Sequence, residues 1–421
     1  MFERLPRESE FLSWSYVVVW SLIIYVTIPF VRLGVEYVRG EWGRESFTYF
    51  VAAVVILATA AAVILLLKSD RKPVACYAWL LGVGGVIVYL TFDLKAGSPE
   101  EAIHYLQYGL LSLLLFRAFV HRIRDISIYA AVTIAGTIVG MIDETIQWMA
   151  PDRHFGVRDI WLNFSAVALV QVAVAMGIRP RLISGWPDGV SWRRLCRLAA
   201  AAVAYLGLCH LNTPERIAWY TTNIPLLSFI DYKQSLMSEY GHLHGDTETG
   251  LFRSRLTVEE LRRSSRERAE EGARILERYR DRERYFEFLE NYTPVTDPFL
   301  HEARVHLFRR DSHIERARQS EEEDMRRHHY TIAYWENRIL EAYFGELLRA
   351  SDYRWPAELE AEVRKHARTD EVQVSWVSNY LITAVNERQV FWLTLVSVVA
   401  LLLLGSYLGR RMANRHEGDG R

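Results

Sequence analysis

Acidic, amide and imidazole side chains recur at helical spacing where three apolar segments begin or end, between residues 101 and 163. Glu101, His104 and Tyr108 open the run HYLQYGLLSLLLF. Asp143, Glu144 and Gln147 close the run from Ile126 to Ile142. A short connection carrying Pro151 and Arg153 leads to Asp159 and Asn163, which open the run ending at Ile178. Steps of three and four residues put each set on one helix face, so three faces can meet.

Four carboxylates, Glu101, Asp143, Glu144 and Asp159, beside His104 and Arg153 suit a cationic or zwitterionic group, a divalent ion, or a headgroup with hydroxyls. A charged side chain at the bilayer centre costs roughly 2.5 to 3.5 kcal/mol, so these groups belong at span ends facing protein or water. Two roles follow. As a clasp, the carboxylates accept hydrogen bonds that lock three helices; as a site, they also hold a ligand. Glu101 and Glu144 are expected to face a ligand, and Asp159 and Asn163 to brace the helices. His104 beside a desolvated Glu could move a proton. Ser98 and Ser165 have no base and orienting group in the pattern, which argues against covalent catalysis.

The stretches EAIHYLQYGLL, DETIQ and PDRHFGVRDIWLN, in that order, resemble the VanZ-like membrane proteins, named for an accessory factor in teicoplanin resistance. The resemblance covers residues 100 to 180 and departs from the family pattern at Ala166, where Gly is usual. It implies a non-enzymatic protein of the bacterial cell envelope that binds a lipid headgroup, an envelope precursor or an amphiphilic compound. It says nothing about the region after Leu211.

Half of the residues are hydrophobic and 24% are charged, and the two kinds are segregated. Apolar runs lie near 14–35, 47–67, 74–92, 103–120, 126–142, 160–178, 198–211 and 389–408. A helix needs about 20 apolar residues to cross a bilayer. The fold expected is therefore all-α: a polytopic membrane bundle of about eight spans, with a large helical domain between the last two. Its parts are a seven-span bundle over 1–211, a polar domain over 212–387, a final span over 388–410 and a basic tail over 411–421. Lys68, Arg71 and Lys72, then Arg117, Arg122 and Arg124, then Arg179 to Arg197, and finally Arg410, Arg411 and Arg415 all fall on one side of eight spans. Basic residues flanking spans favour the cytoplasm. Both termini are thus expected in the cytoplasm, with the motif and residues 212–387 outside it. The first run is too long for a cleavable signal and reads as a signal anchor. Cys76, Cys196 and Cys209 lie in or beside spans, so no disulfide staples the polar domain. A net charge of −1 gives no support for general nucleic-acid binding.

The polar domain reads as α-helical. The sequence T-V-E-E from Thr257 is a capping box opening a helix that reaches Leu289. Pro294 and Pro298 break it, and further helices are expected at 299–310, 313–350 and 356–368. The string His242-Leu-His244-Gly-Asp246 is expected to be a loop, and with Glu302 and His306, four residues apart, it forms a candidate divalent-metal set. A metal-assisted hydrolase or transferase is the alternative function that set would serve, and no other cofactor is implied. The Arg-rich stretch Arg262 to Arg284 alternates with acids and reads as a solvated face, with anionic headgroups or glycans as its sharper use. A helical outer domain also suits docking of a protein partner.

Overall fold

The computed structural model describes residues 7–68, 73–94, 98–150, 155–230 and 236–418. Arg153, together with Arg71 and Lys72, lies outside the described residues. The chain divides into two compact units, one of Met1–Cys209 with Phe391–Arg421 and the other of His210–Val390.

In the first unit the apolar runs form α1 (Glu10–Trp42), α2 (Ser46–Leu67), α3 (Val74–Asp93), α4 (Ile103–Phe119), α5 (Ser127–Met149), α6 (Val157–Val172) and α7 (Gly189–His210). A 3₁₀ turn at Pro99–Ala102 precedes α4, and α6 ends in a π-turn at Ala173–Ile178. Backbone amides within hydrocarbon must be satisfied inside their own segment, which is why these runs coil rather than extend. Among the described residues, six helices are long and apolar enough to cross a membrane, or seven if a bent pair that includes α7 is one span. All eight expected runs lie on helices. The 103–120 run, however, yields a helix of only 17 residues, and the 198–211 run reaches the mark only through that pair, bent by 87°. Helix α4 is the most enclosed of the set. Tyr108, Leu111, Leu115 and Phe116 on it pack with Ile128, Val132 and Val167 in one core. Outward, Val18, Val19, Leu22, Ile56, Leu57, Leu65 and Leu81 are exposed, an apolar surface that an aqueous protein would bury.

The second unit contains α8 (Pro214–Asn223), a hairpin of β1 (His242–Asp246) and β2 (Gly250–Ser254), then α9 (Val258–Glu267), α10 (Ala269–Arg278), α11 (Tyr285–Asn291), α12 (Pro298–Gln319), α13 (Glu323–Tyr343), α14 (Gly345–Arg349) and α15 (Ala357–His366). The last helix, α16 (Glu387–Gly418), leads back into the first unit. Thr257 and Glu260 form the capping box reciprocally at the start of α9. Three expectations need correction. The helix from Thr257 breaks at Arg268 and again near Tyr279, where neither residue is helical. The 313–350 segment is divided among α12, α13 and α14 by non-helical residues at Ser320 and Phe344. The expected loop at 242–248 is mostly strand, in antiparallel register with His244 opposite Phe252. A string such as H-x-H-x-D has the two-residue period of a strand, and that reading is the one the fold uses. Around the hairpin, Phe252, Leu261, Leu276, Phe288, Leu300, Leu307, Leu340 and Phe344 form the core.

Candidate functional site

Helices α4, α5 and α6 bring most of the polar set together. Tyr108 donates to Asp143, Oη to Oδ2 at 2.8 Å, joining α4 to α5. His104 Nδ1 lies 2.8 Å from Asn163 Oδ1, joining α4 to α6. The two rings on α4 stack, with centroids 6.0 Å apart. Tyr108, Glu144 and Asn163 are fully buried and Asp143 is 2% exposed. One layer deeper, Gln171 Nε2 donates to Ser112 Oγ at 2.8 Å, and that hydroxyl donates to the Val167 carbonyl at 3.1 Å.

Glu144 closes the gap between α5 and α6. Its Oε2 accepts from the Gly156 amide at 3.2 Å and its Oε1 from Gln147 Nε2 at 3.2 Å. The first amides of a helix have no partner within it, and here a carboxylate from the preceding helix serves one at the start of α6. Glu144, expected to face a ligand, thus has both oxygens engaged by protein. A Cβ at Gly156 would sit 2.6 Å from Asp159 Oδ2, so a side chain there would push that carboxylate aside. Asp159 lies in the first turn of α6.

Glu101 sits in the 3₁₀ turn rather than on α4 itself, and its Oε2 is 3.0 Å from Arg158 Nη2. Arg158 was missed in the sequence, where it reads as a flanking charge. So was the pair Gly136 and Gly140, a G-x-x-x-G step on α5 that permits close helix approach. A Cβ at Gly140 would meet Asn163 Cβ at 2.9 Å, and one at Gly136 would meet Val167 Cγ2 at 2.8 Å. Tyr25 of α1 also reaches the cluster's edge, donating to the Val139 carbonyl at 3.2 Å.

Several buried atoms here have no hydrogen-bond partner among the described residues: the acceptors Asp143 Oδ1, Gln171 Oε1 and Glu101 Oε2, the last facing Arg158 as an ion pair, and the donors Asn163 Nδ2 and Trp148 Nε1. Buried polar groups are nearly always paired, so these mark unused binding capacity. Ser165 donates its hydroxyl to the Leu162 carbonyl at 2.8 Å.

The metal candidates of the second unit do not converge. Among the described residues no three His, Cys, Asp or Glu side chains group so as to hold an ion. His242 and His244 stack at 5.7 Å on one face of β1, but His244 Nε2 lies 2.8 Å from the Leu256 carbonyl. Asp246 Oδ1 accepts from the amides of Glu248 at 2.8 Å and Thr249 at 2.9 Å, closing the hairpin and holding that carboxyl below its ordinary range. Glu302 instead takes the Ser254 hydroxyl at 2.5 Å and the Arg255 amide at 2.9 Å. His306 Nδ1 faces Glu336 Oε2 at 2.6 Å, and Arg309 reaches the other Glu336 oxygen at 2.7 Å. Burial raises the Glu302 carboxyl. Burial also acts to raise Glu336, but the contacts with His306 and Arg309 outweigh it and leave that carboxyl lowered. These are bracing networks inside a helical core.

Comparison with known proteins finds no matching family model, no matching curated protein and no matching solved structure.

Proposed function

We propose that this chain is a VanZ-like, multi-pass protein of a bacterial cytoplasmic membrane that binds the polar end of a lipid, an envelope precursor or another amphiphile, without chemistry, at the cluster of Tyr108, Asp143, His104 and Asn163. One observation carries the reading. A buried acceptor on Asp143 and a buried donor on Asn163 are both unpartnered among the described residues, while Asp143 Oδ2 is held by Tyr108 and Asn163 Oδ1 by His104. A hydroxyl or amide of a headgroup offers a donor and an acceptor at once, which a bare cation does not. The exposed apolar faces of α1 and α2 support a membrane location for the unit that carries the cluster. The segregation of basic residues supports eight crossings with both termini cytoplasmic and residues 212–387 outside.

Native mass spectrometry of the purified full chain tests the site. Wild type should retain a lipid or glycan that Asp143→Asn, which removes the acceptor but keeps the Tyr108 contact, releases. Identical bound species in both would refute the reading. Orientation is tested separately on intact cells, using a variant lacking Cys76, Cys196 and Cys209 and carrying one new Cys at exposed Phe286. An impermeant thiol reagent should label it, after outer-membrane permeabilisation where one exists. Labelling only after lysis would place the domain in the cytoplasm.

A further inference from the structure

A cleft of about 460 Å³ opens in the second unit between α12 and the segment 352–359. Five arginines line it, Arg280, Arg282, Arg304, Arg310 and Arg354. Most of the lining acids are spent on them. Arg310 holds Asp311 at 2.7 Å, Arg282 holds Glu315 at 3.0 Å, and Arg280 lies 3.9 Å from Asp352.

Arg304 stands apart. It is 3% exposed, and among the described residues no carboxylate lies within ion-pair distance of it. Its Nη2 donates to the Tyr279 carbonyl at 3.1 Å, its face lies 5.0 Å from the centre of the Tyr285 ring, and its Nε has no hydrogen-bond partner among the described residues. The other arginines buried in this unit are neutralised. Arg255 pairs with Glu239 and Glu302, and Arg310 with Asp311. Taking a guanidinium out of water without a counter-charge is costly, and proteins rarely leave the cost standing. Burial pulls the Arg304 guanidinium down, outweighing the opposing pull of Tyr353, Tyr285 and Asp311. At the rim Arg354 is exposed and adds a second positive charge with no ion pair among the described residues.

We infer that this cleft is a binding site for an oxyanion, a phosphate or carboxylate carried on a small ligand or a lipid headgroup, with Arg304 as its buried counter-charge and Arg354 at its mouth. Guanidinium is the side chain best shaped for such groups, because its planar fork of donors matches two oxygens. The cleft volume lies in the range of small-molecule sites. The inference is independent of the membrane cluster.

The test uses the full chain in nanodiscs of zwitterionic phosphatidylcholine, with thermal unfolding followed by tryptophan fluorescence. A ligand that binds only the folded state raises its unfolding temperature. Inorganic phosphate or citrate at millimolar concentration should raise it by at least ~3 °C beyond chloride at equal ionic strength. A response to phosphate alone assigns a phosphoryl group and one to citrate alone a carboxylate. A shift seen only on changing the discs to phosphatidylglycerol assigns a headgroup phosphate. Arg304→Met should abolish the response. Arg354→Glu, at an exposed position that leaves the core intact, should weaken the apparent affinity at least ~fivefold by reversing a charge at the mouth, and it decides the matter if Arg304→Met does not fold. A response no greater than chloride in every disc, or one unchanged in Arg354→Glu, would overturn the inference.

Discussion

Tyr108 and Asp143 face each other across the α4–α5 contact with Oη and Oδ2 2.8 Å apart, the phenol fully buried and the carboxylate 2% exposed. The pair both fixes the helices and orients the second carboxylate oxygen, so removing the phenol acts on two properties at once. Tyr108→Phe leaves a buried carboxylate oxygen without its donor and should lower stability by about 1 to 3 kcal/mol. Thermal unfolding in detergent reads this, with Tyr25→Phe, at the cluster's edge, as the milder comparison. Equal midpoints for wild type and Tyr108→Phe would show that the pair braces nothing.

Gly140 should be intolerant of even one methyl. With Asn163 Cβ at 2.9 Å and Nδ2 at 3.1 Å from the added atom, Gly140→Ala forces α5 from α6 or turns the amide away from His104. Overpacking of this kind costs about 1 to 3 kcal/mol. Gly82, where an added Cβ meets nothing within 4 Å, is the control. A Gly140→Ala protein as stable as Gly82→Ala would mean that α5 and α6 cross with room for a methyl.

In the second unit, Arg255 joins three distant parts of the chain. It pairs with Glu239 and with Glu302, and its Nη1 lies 3.4 Å from Ser378 Oγ. Arg255→Met leaves two buried carboxylates unpaired, and breaking a buried pair costs roughly 3 to 5 kcal/mol. The double variant Glu239→Gln with Glu302→Gln should recover part of that loss on the Arg255→Met background. Denaturant unfolding monitored in this unit gives both values, and the absence of any recovery would separate the charge argument from a purely steric one.

Acid should weaken the second unit through two imidazoles. Burial holds His301 and His313 down at about 4, aided at His313 by Arg309, His329 and Arg316. A free imidazole titrates near 6.5, so between these values the unfolded chain binds more protons than the folded one. Stability therefore rises with pH across that window, and each imidazole gives up as much as ~3 kcal/mol between pH 7 and pH 4. Glu239 and Glu302, whose carboxyls burial raises against the pull of Arg255, act in the opposite sense, their contribution to stability falling as pH rises. The decisive measurement is thus a difference: urea unfolding of His313→Phe should show a flatter pH dependence than wild type between pH 4 and 6.5. Parallel curves would mean that His313 stays neutral in both states or charged in both.

The helical elements were legible because each is set by a local rule. Long apolar runs leave the backbone no partner but itself, so the segments at 46–67 and 127–149 are helices wherever they are placed. The same holds for Thr257 with Glu260, whose reciprocal bonds span three residues, and for Pro298, which opens α12. The spacing of Glu101, His104, Tyr108, Asp143, Gln147 and Asn163 was likewise visible, since helical periodicity alone puts polar groups on a face.

Which faces meet, and at what distance, depends on parts of the chain that spacing does not connect. Glu144 looked like a ligand carboxylate because its neighbours are acidic, whereas its position against the α6 terminus commits it to the Gly156 amide. The hairpin looked like a loop of metal ligands because its strands are five residues each and its pairing partner lies beyond a turn. Nothing along the chain sets Arg304 apart from its neighbours, and only packing against Tyr279 and Tyr285 encloses it. Sequence by itself determined the long apolar helices and the capped start of α9, because hydrogen bonding and hydrophobicity act over a few residues. Tertiary structure decided which charges are paired, because burial and Coulomb attraction depend on distance in space and not along the chain.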